Sequence, residues 1–299
     1  MKKTILAVAV ISSLASATAS AVTVYDNEGT KVSIGGRVEA RGVFGNEFDG
    51  TMKDKSRARI NFGVETKISE NLTGFGFMEY QLGDAEKDLE ARYLYAGLET
   101  QFGSFSYGKQ DTSNVQISDM TDIASEHSGV QQIIEAASER QNNTFLYTGT
   151  FDALTVQVDY QAMDLDDADA FALSASYAFD FGLDIGASYS DQDEQNQATF
   201  GAAYTFSNLY LAATYSMGEY AEDFDFNGLE VAAQYKVNEK LRFIGIYANE
   251  DNDSETVIDY LAFEAQYRFN SVARTYVSYQ IDLMDEGDDE VMVGLRYDF

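Results

Sequence analysis

EVMVGLRYDF, residues 290–299, closes the chain and decides how the rest is read. Val291, Val293, Leu295, Tyr297 and Phe299 fall on one side of an extended strand. Met292, Gly294, Arg296 and Asp298 fall on the other. Period-2 alternation therefore runs to the final residue, which is aromatic. A soluble domain seldom ends on an apolar strand without a polar tail. A transmembrane barrel does so naturally, because its last strand closes the ring and one face meets lipid.

The same alternation recurs upstream. Leu154 to Gln161 and Leu229 to Val237 alternate without error. In the stretch from Arg57 to Ile68, Arg57, Arg59, Asn61, Glu65 and Lys67 share one face, and Ala58, Ile60, Phe62, Val64 and Ile68 the other. Sixteen such segments are predicted, at 31–44, 56–68, 72–82, 91–99, 103–110, 141–149, 152–163, 169–179, 182–190, 195–206, 208–217, 227–237, 240–249, 256–269, 272–283 and 290–299. The segment 240–249 fits worst, since Ile244 and Ile246 are out of phase with Leu241, Phe243 and Tyr247. Short connections such as Ser69-Glu70-Asn71 and Asn270-Ser271 alternate with longer acidic ones at 164–168, 219–227, 251–255 and 284–289. Short turns at one rim and long loops at the other are expected of an outer-membrane barrel. A soluble β-sandwich also alternates, but it gives no reason for this regular asymmetry.

One connection stands apart. Residues 111–139 show no β-alternation, and Val130 to Ala137 has helical spacing. A structureless stretch of that length is normally functional. A barrel of about sixteen strands is too wide for its side chains to fill, so this segment is predicted to fold inward and narrow the lumen.

Composition agrees. Lys2 and Lys3 precede an apolar stretch from Thr4 to Leu14, and Ala19-Ser20-Ala21 offers a small-residue cleavage site. Residues 1–21 thus read as an export signal and 22–299 as a single barrel domain. No later apolar run is long enough for a membrane helix. The formal net charge of −30 becomes two more negative once the signal lysines are removed, which excludes a nucleic-acid surface. There are no cysteines, one histidine, no tryptophan, 20 tyrosines and 20 phenylalanines. That leaves no metal motif and no cofactor pattern, and the Tyr and Phe supply the interfacial girdles. A hydrolase would have to use His127 as its base. Its flanks Glu126 and Ser128 do not make a triad, because triad members converge from separate segments.

Four stretches carry a family resemblance: VTVYDNEGTKV at the start of the mature chain, ARINFGVETKISENLTGFGFMEYQL (58–82), ARYLYAGLETQFGSFSYGKQ (91–110) and TDIASEHSG (121–129). They resemble the opening, the second to fifth strands and the inward third loop of the trimeric general diffusion porins of Gram-negative outer membranes. The resemblance implies a homotrimer in the outer membrane, surrounded by lipid and lipopolysaccharide, that passes small hydrophilic solutes and ions without a cofactor. By position it makes Asp122 and Glu126 the acids of a constriction and Arg37, Arg59, Arg92 and Arg140 the facing basic cluster. Glu79 and Arg41 belong to the pore wall, and Tyr297 and Phe299 to a C-terminal assembly signal. Ser125 replaces the family's usual proline and His127 its aromatic, and the chain is short for the family. Alternation alone does not place Arg92 in the lumen, because it shares a face with Leu94 and Ala96.

The leading expectation is a passive, water-filled pore that prefers cations, the excess of acids lying mostly in the long loops. An adhesin or phage-receptor barrel fits the acidic loops too. A substrate-specific sugar porin stays open, because Phe75 and Phe77 point to the polar face.

Overall fold

Alternation in the sequence becomes one closed antiparallel sheet. The computed structural model describes residues 21–45, 51–83, 86–163, 168–221, 224–284 and 287–299. Residues 1–20 of the predicted signal lie outside the described residues, as do the acids Asp164, Asp166, Asp167, Glu222, Asp223, Asp285 and Glu286. Sixteen long strands run from Thr30–Gly45 and Arg57–Ser69 round to Ala273–Asp282 and Glu290–Asp298, each paired with its sequence neighbours. Glu290–Asp298 then pairs with Thr30–Gly45 and closes the ring. All sixteen strands coincide with predicted segments to within a few residues.

Two shorter pieces were not expected, Val22–Asn27 and Lys53–Asp54, and both pair with Thr30–Gly45. Val22–Asn27 takes the first part of that strand's edge, Thr30 to Ile34, and the terminal strand takes Arg37 to Gly45. Phe299 fits between them. Its N–H donates to the Gly36 carbonyl at 3.0 Å and its carbonyl accepts from Gly36 N–H at 2.9 Å. A Cβ on Gly36 would lie 2.4 Å from the Arg59 carbonyl and 2.6 Å from the Phe299 ring, so the seam admits only glycine.

The two faces of the wall differ as alternation requires. On the last strand Val293, Leu295, Tyr297 and Phe299 are exposed, whereas Met292 is 1 % exposed. Phe171, Leu173, Tyr177, Phe200 and Tyr215 are likewise exposed around the outside. A surface of this kind is stable in lipid rather than water.

Three details depart from expectation. The acidic stretches 219–227 and 251–255 are mostly strand, not loop. Leu209–Ala221 and Phe224–Lys236 have 13 residues each, more than the ~9–11 a bilayer needs. Their ends keep pairing beyond the membrane because backbone groups left unpaired would gain nothing there. The turn at Asp253-Ser254 is correspondingly tight, with positive φ at both residues. Val130 to Ala137 is not a continuous helix; helix occurs at Val115–Ser118, with one 3-10 turn at Glu135–Ala137. Finally, Leu241–Asn252 is apolar on both faces for a reason. Phe243 points outward, and Ile244 and Ile246, each 3 % exposed, belong to an inward cluster against which Met120 and Ile123 of the long connection pack.

Candidate functional site: a charged cavity between the wall and residues 111–140

The connection between Gly103–Gln110 and Gln141–Phe151 packs against the polar, inward face of the strands. Small side chains on that face make the room. A Cβ on Gly186 would lie 2.5 Å from Ile117, and one on Gly201 2.8 Å from Ile117 and Met120. Ala203, Ala212, Ala232 and Ala262 continue the hollow, and Met120, Ile123, Ala124 and Val130 fill it.

Wall side chains then take up the connection's orphaned backbone groups. Asp159 accepts from Ser113 N–H at 2.6 Å. Glu264 accepts from Ser125 N–H at 2.9 Å and from its hydroxyl at 3.0 Å. Glu230 accepts from Gly129 N–H at 2.9 Å and Val130 N–H at 3.2 Å. Gln197 accepts from Ile133 and Ile134 N–H, bonds that stand in for the helical ones predicted there. Gly129 has φ +85 and passes beside the Asp122 carboxylate, where a Cβ would lie 3.0 Å from its carbon. Both features favour glycine.

Across the cavity the strands present arginines. Arg37 and Arg59 are cross-strand partners. Arg59 donates to Gln81 at 2.7 Å and lies 3.8 Å from Glu79, and Arg92 reaches the same Glu79 at 2.9 Å. Arg92 turns inward because the pairing shifts between Glu79 and Tyr80, leaving Arg92 as the extra residue opposite them. A bulge re-aims a side chain in this way, which strict alternation cannot anticipate. Arg57 pairs with Glu39 at 2.6 Å, and Arg296 with Asp298 at 2.6 Å.

A cavity of about 770 Å³ separates the two sides. Arg37, Arg59, Arg92 and Glu79 line it from the strands; Asp111, Asp119, Asp122 and Glu139 line it from the connection. Oxygens of Asp119, Asp122 and Glu139 lie within 4.8 Å of one another. Asp119 was not singled out in the sequence, although it stands three residues before Asp122, at the C-terminal end of the helix Val115–Ser118. Loss of water along the walls, and after it the neighbouring acids, raise the Asp119 and Asp122 carboxyls above the usual carboxylate range. Asp111, walled in and close to Glu139, is pushed up to about 6.

Two expected members of the constriction sit elsewhere. Glu126 does not line this cavity; it bonds Arg41 Nη1 at 2.5 Å, tying the connection's tip to the strand Thr30–Gly45. Arg140 lies where the connection rejoins the wall, paired with Glu139, and its N–H donates to Asp111 at 3.0 Å. The sequence reading set Asp122 and Glu126 together opposite Arg37, Arg59, Arg92 and Arg140, and only the path of the connection separates them. His127 is buried beside Glu126, and burial pulls its imidazole below the usual range.

The pattern that defines the family described as Gram-negative porin matches residues 5–287. Outer membrane protein U of Vibrio parahaemolyticus is 36% identical over 341 aligned positions, covering 100% of both chains. Among solved structures, the OmpF complex with daunomycin from Salmonella typhi superposes with a TM-score of 0.84 at 25% identity, covering 93% of this chain and 100% of the other. The trimer form of Vibrio cholerae OmpT shares the fold, with a TM-score of 0.74 at 19% identity over 91% of this chain and 100% of its own.

Proposed function

Because this chain belongs to the Gram-negative porin family of outer-membrane channels, we propose that residues 111–139 narrow its lumen to a charged, cation-preferring eyelet. The observation that carries the reading is the two-sided lining of the cavity, arginines from the strands and carboxylates from the connection. Fixed charges of opposite sign across a wet gap create a transverse field. A dipolar solute can align with it and an apolar one gains nothing.

Arg37, Arg59 and Arg92 form the basic side and Asp119, Asp122 and Glu139 the acidic side. Glu79 bridges Arg59 and Arg92 and offsets part of their charge. Glu126 and Arg41 act as an anchor. Arg140 acts at the hinge, where its charge is shared with Glu139. Cation preference follows from the excess of acids over bases, 50 Asp and Glu against 20 Lys and Arg. Export is proposed to follow cleavage of residues 1–21, which would start the mature chain at the strand Val22–Asn27.

A homotrimer is proposed for a local reason as well. Outward residues on Arg57–Ser69, Leu72–Gly83 and Glu86–Thr100 include Ile60, Val64, Leu94 and Leu98 beside Gly74 and Gly76. That face also carries Phe62 and Tyr80, whereas strands such as Ala170–Ala178 and Gln195–Phe206 present Phe171, Tyr177 and Phe200 outward, as befits a boundary with lipid and lipopolysaccharide. An apolar patch with the small residues Gly74 and Gly76 in it suits close contact with a second subunit.

Planar-bilayer recording tests the reading. Steady ohmic current in KCl, with a reversal potential of the sign for potassium under a gradient, is the expected result. A barrel without steady current is an adhesin or receptor, not a pore.

A further inference from the structure

We propose that the lumen holds a residence site for organic ammonium ions bearing an aromatic group, built on Phe75 and Tyr95; this rests on the pore reading above. Their ring centroids lie 6.5 Å apart with planes at 78°, so the two rings form a corner. The Phe75 ring lies over Gly97 of the neighbouring strand, where a Cβ would lie 2.5 Å from it. Phe77, 5 % exposed, backs the corner with its centroid 5.7 Å from that of Tyr95. Phe75 and Tyr95 themselves are only half-buried and line the open cavity.

Ile244 and Ile246 are also apolar and inward, but they are buried in a cluster against which Met120 and Ile123 pack. Apolar rings left facing a water-filled channel gain when a solute with an apolar body covers them. The charge of that solute follows from the neighbours. Glu65 is the cross-strand partner of Phe75, and Glu99 lies two residues from Gly97 on the adjoining strand. Both line the same cavity, and neither is ion-paired among the described residues, even though Lys31 is the cross-strand partner of Glu65. Arg59 and Arg92, which with Arg37 line the same cavity, are already engaged by Glu79. Aromatic faces attract a cation, and unpaired carboxylates beside them strengthen the preference. An ammonium head over the corner with its ring stacked on Phe75 satisfies both.

The test adds phenethylammonium chloride to single channels in KCl, with ethylammonium chloride and sodium 3-phenylpropionate as comparators. Phenethylammonium is expected to produce concentration-dependent excess current noise, and the comparators much less. Phe75→Leu, which keeps the apolar bulk, should raise the half-effect concentration about two- to fivefold. Glu99→Gln should shift it in the same direction. Equal noise from ethylammonium or from 3-phenylpropionate, or unchanged sensitivity in both variants, overturns the site while leaving the pore intact. Channels that pass no current in KCl alone overturn the pore reading, and the site with it.

Discussion

Glu126 accepts a charged hydrogen bond from Arg41 Nη1 at 2.5 Å, joining residues 85 apart in sequence. The Arg41 side chain is 1 % exposed and that of Glu126 30 %. This contact fixes the tip of the connection to the strand Thr30–Gly45, while Glu264 and Glu230 hold its far side. A segment clamped to several strands cannot drift, and the width of the passage beside it is set by those clamps.

Glu126→Gln should therefore loosen the tip without unfolding the barrel. The loss of one charge-assisted bond costs about 1–3 kcal/mol, and Arg41 keeps its bond to the Lys55 carbonyl. Single-channel recording should show more frequent sub-conductance steps at unchanged mean conductance. A variant as quiet as the parent would mean that Glu126 does not anchor the segment.

Asp119 and Asp122 should govern the response to acid. Their carboxyls, and that of Asp111 at about 6, lie above the usual carboxylate range. A raised carboxyl gains its proton earlier on acidification, so the cavity loses negative charge at a higher pH than ordinary carboxylates do, Asp111 at about 6. Cation preference should decline there, before ordinary surface carboxylates titrate. In Asp119→Asn/Asp122→Asn the preference at pH 7 should be lower and its decline flatter. Reversal potentials measured between pH 7 and 5 check both statements.

Much of this was legible in the sequence because a barrel wall obeys one rule. Alternation located every long strand, and it put Arg37, Arg59, Glu79, Phe75 and Phe77 on the inner face. What it missed had separate physical causes. Arg92 points inward through a bulge. Ile244 and Ile246 break the pattern because they serve the packed connection. Asp119, Glu139 and the anchoring role of Glu126 depend on how an irregular segment crosses the interior. No periodicity encodes that path; it is set by distant partners such as Glu230 and Gln197.

The seam makes a structural prediction. Deleting Phe299 removes both backbone bonds to Gly36 and the ring that covers it. Gly36→Ala should harm the same contact from the other side, since its Cβ would meet the Arg59 carbonyl at 2.4 Å. Both variants should reach the outer membrane in reduced amounts, measured as heat-resistant folded species on gels. Normal levels of the Phe299 deletion would contradict the role of the terminal residue in assembly.

The outer face makes another. Leu295 is 54 % exposed on the outside of the last strand. Leu295→Arg should cost roughly 2–4 kcal/mol if the site lies near the bilayer midplane, and less toward either rim. Reversible unfolding in lipid vesicles gives the value. A change within error of zero would place this face against water or protein rather than lipid.

The most direct test of the central claim is the reversal potential of the purified protein across a planar bilayer under a KCl gradient. The acids should concentrate potassium over about a Debye length, ~8 Å at physiological ionic strength and ~3 Å at 1 M. The account predicts a potential of the sign for cation preference, strong in dilute salt and fading toward 1 M. A potential of the opposite sign in dilute salt would show that Arg37, Arg59 and Arg92 govern the passage, and would contradict it.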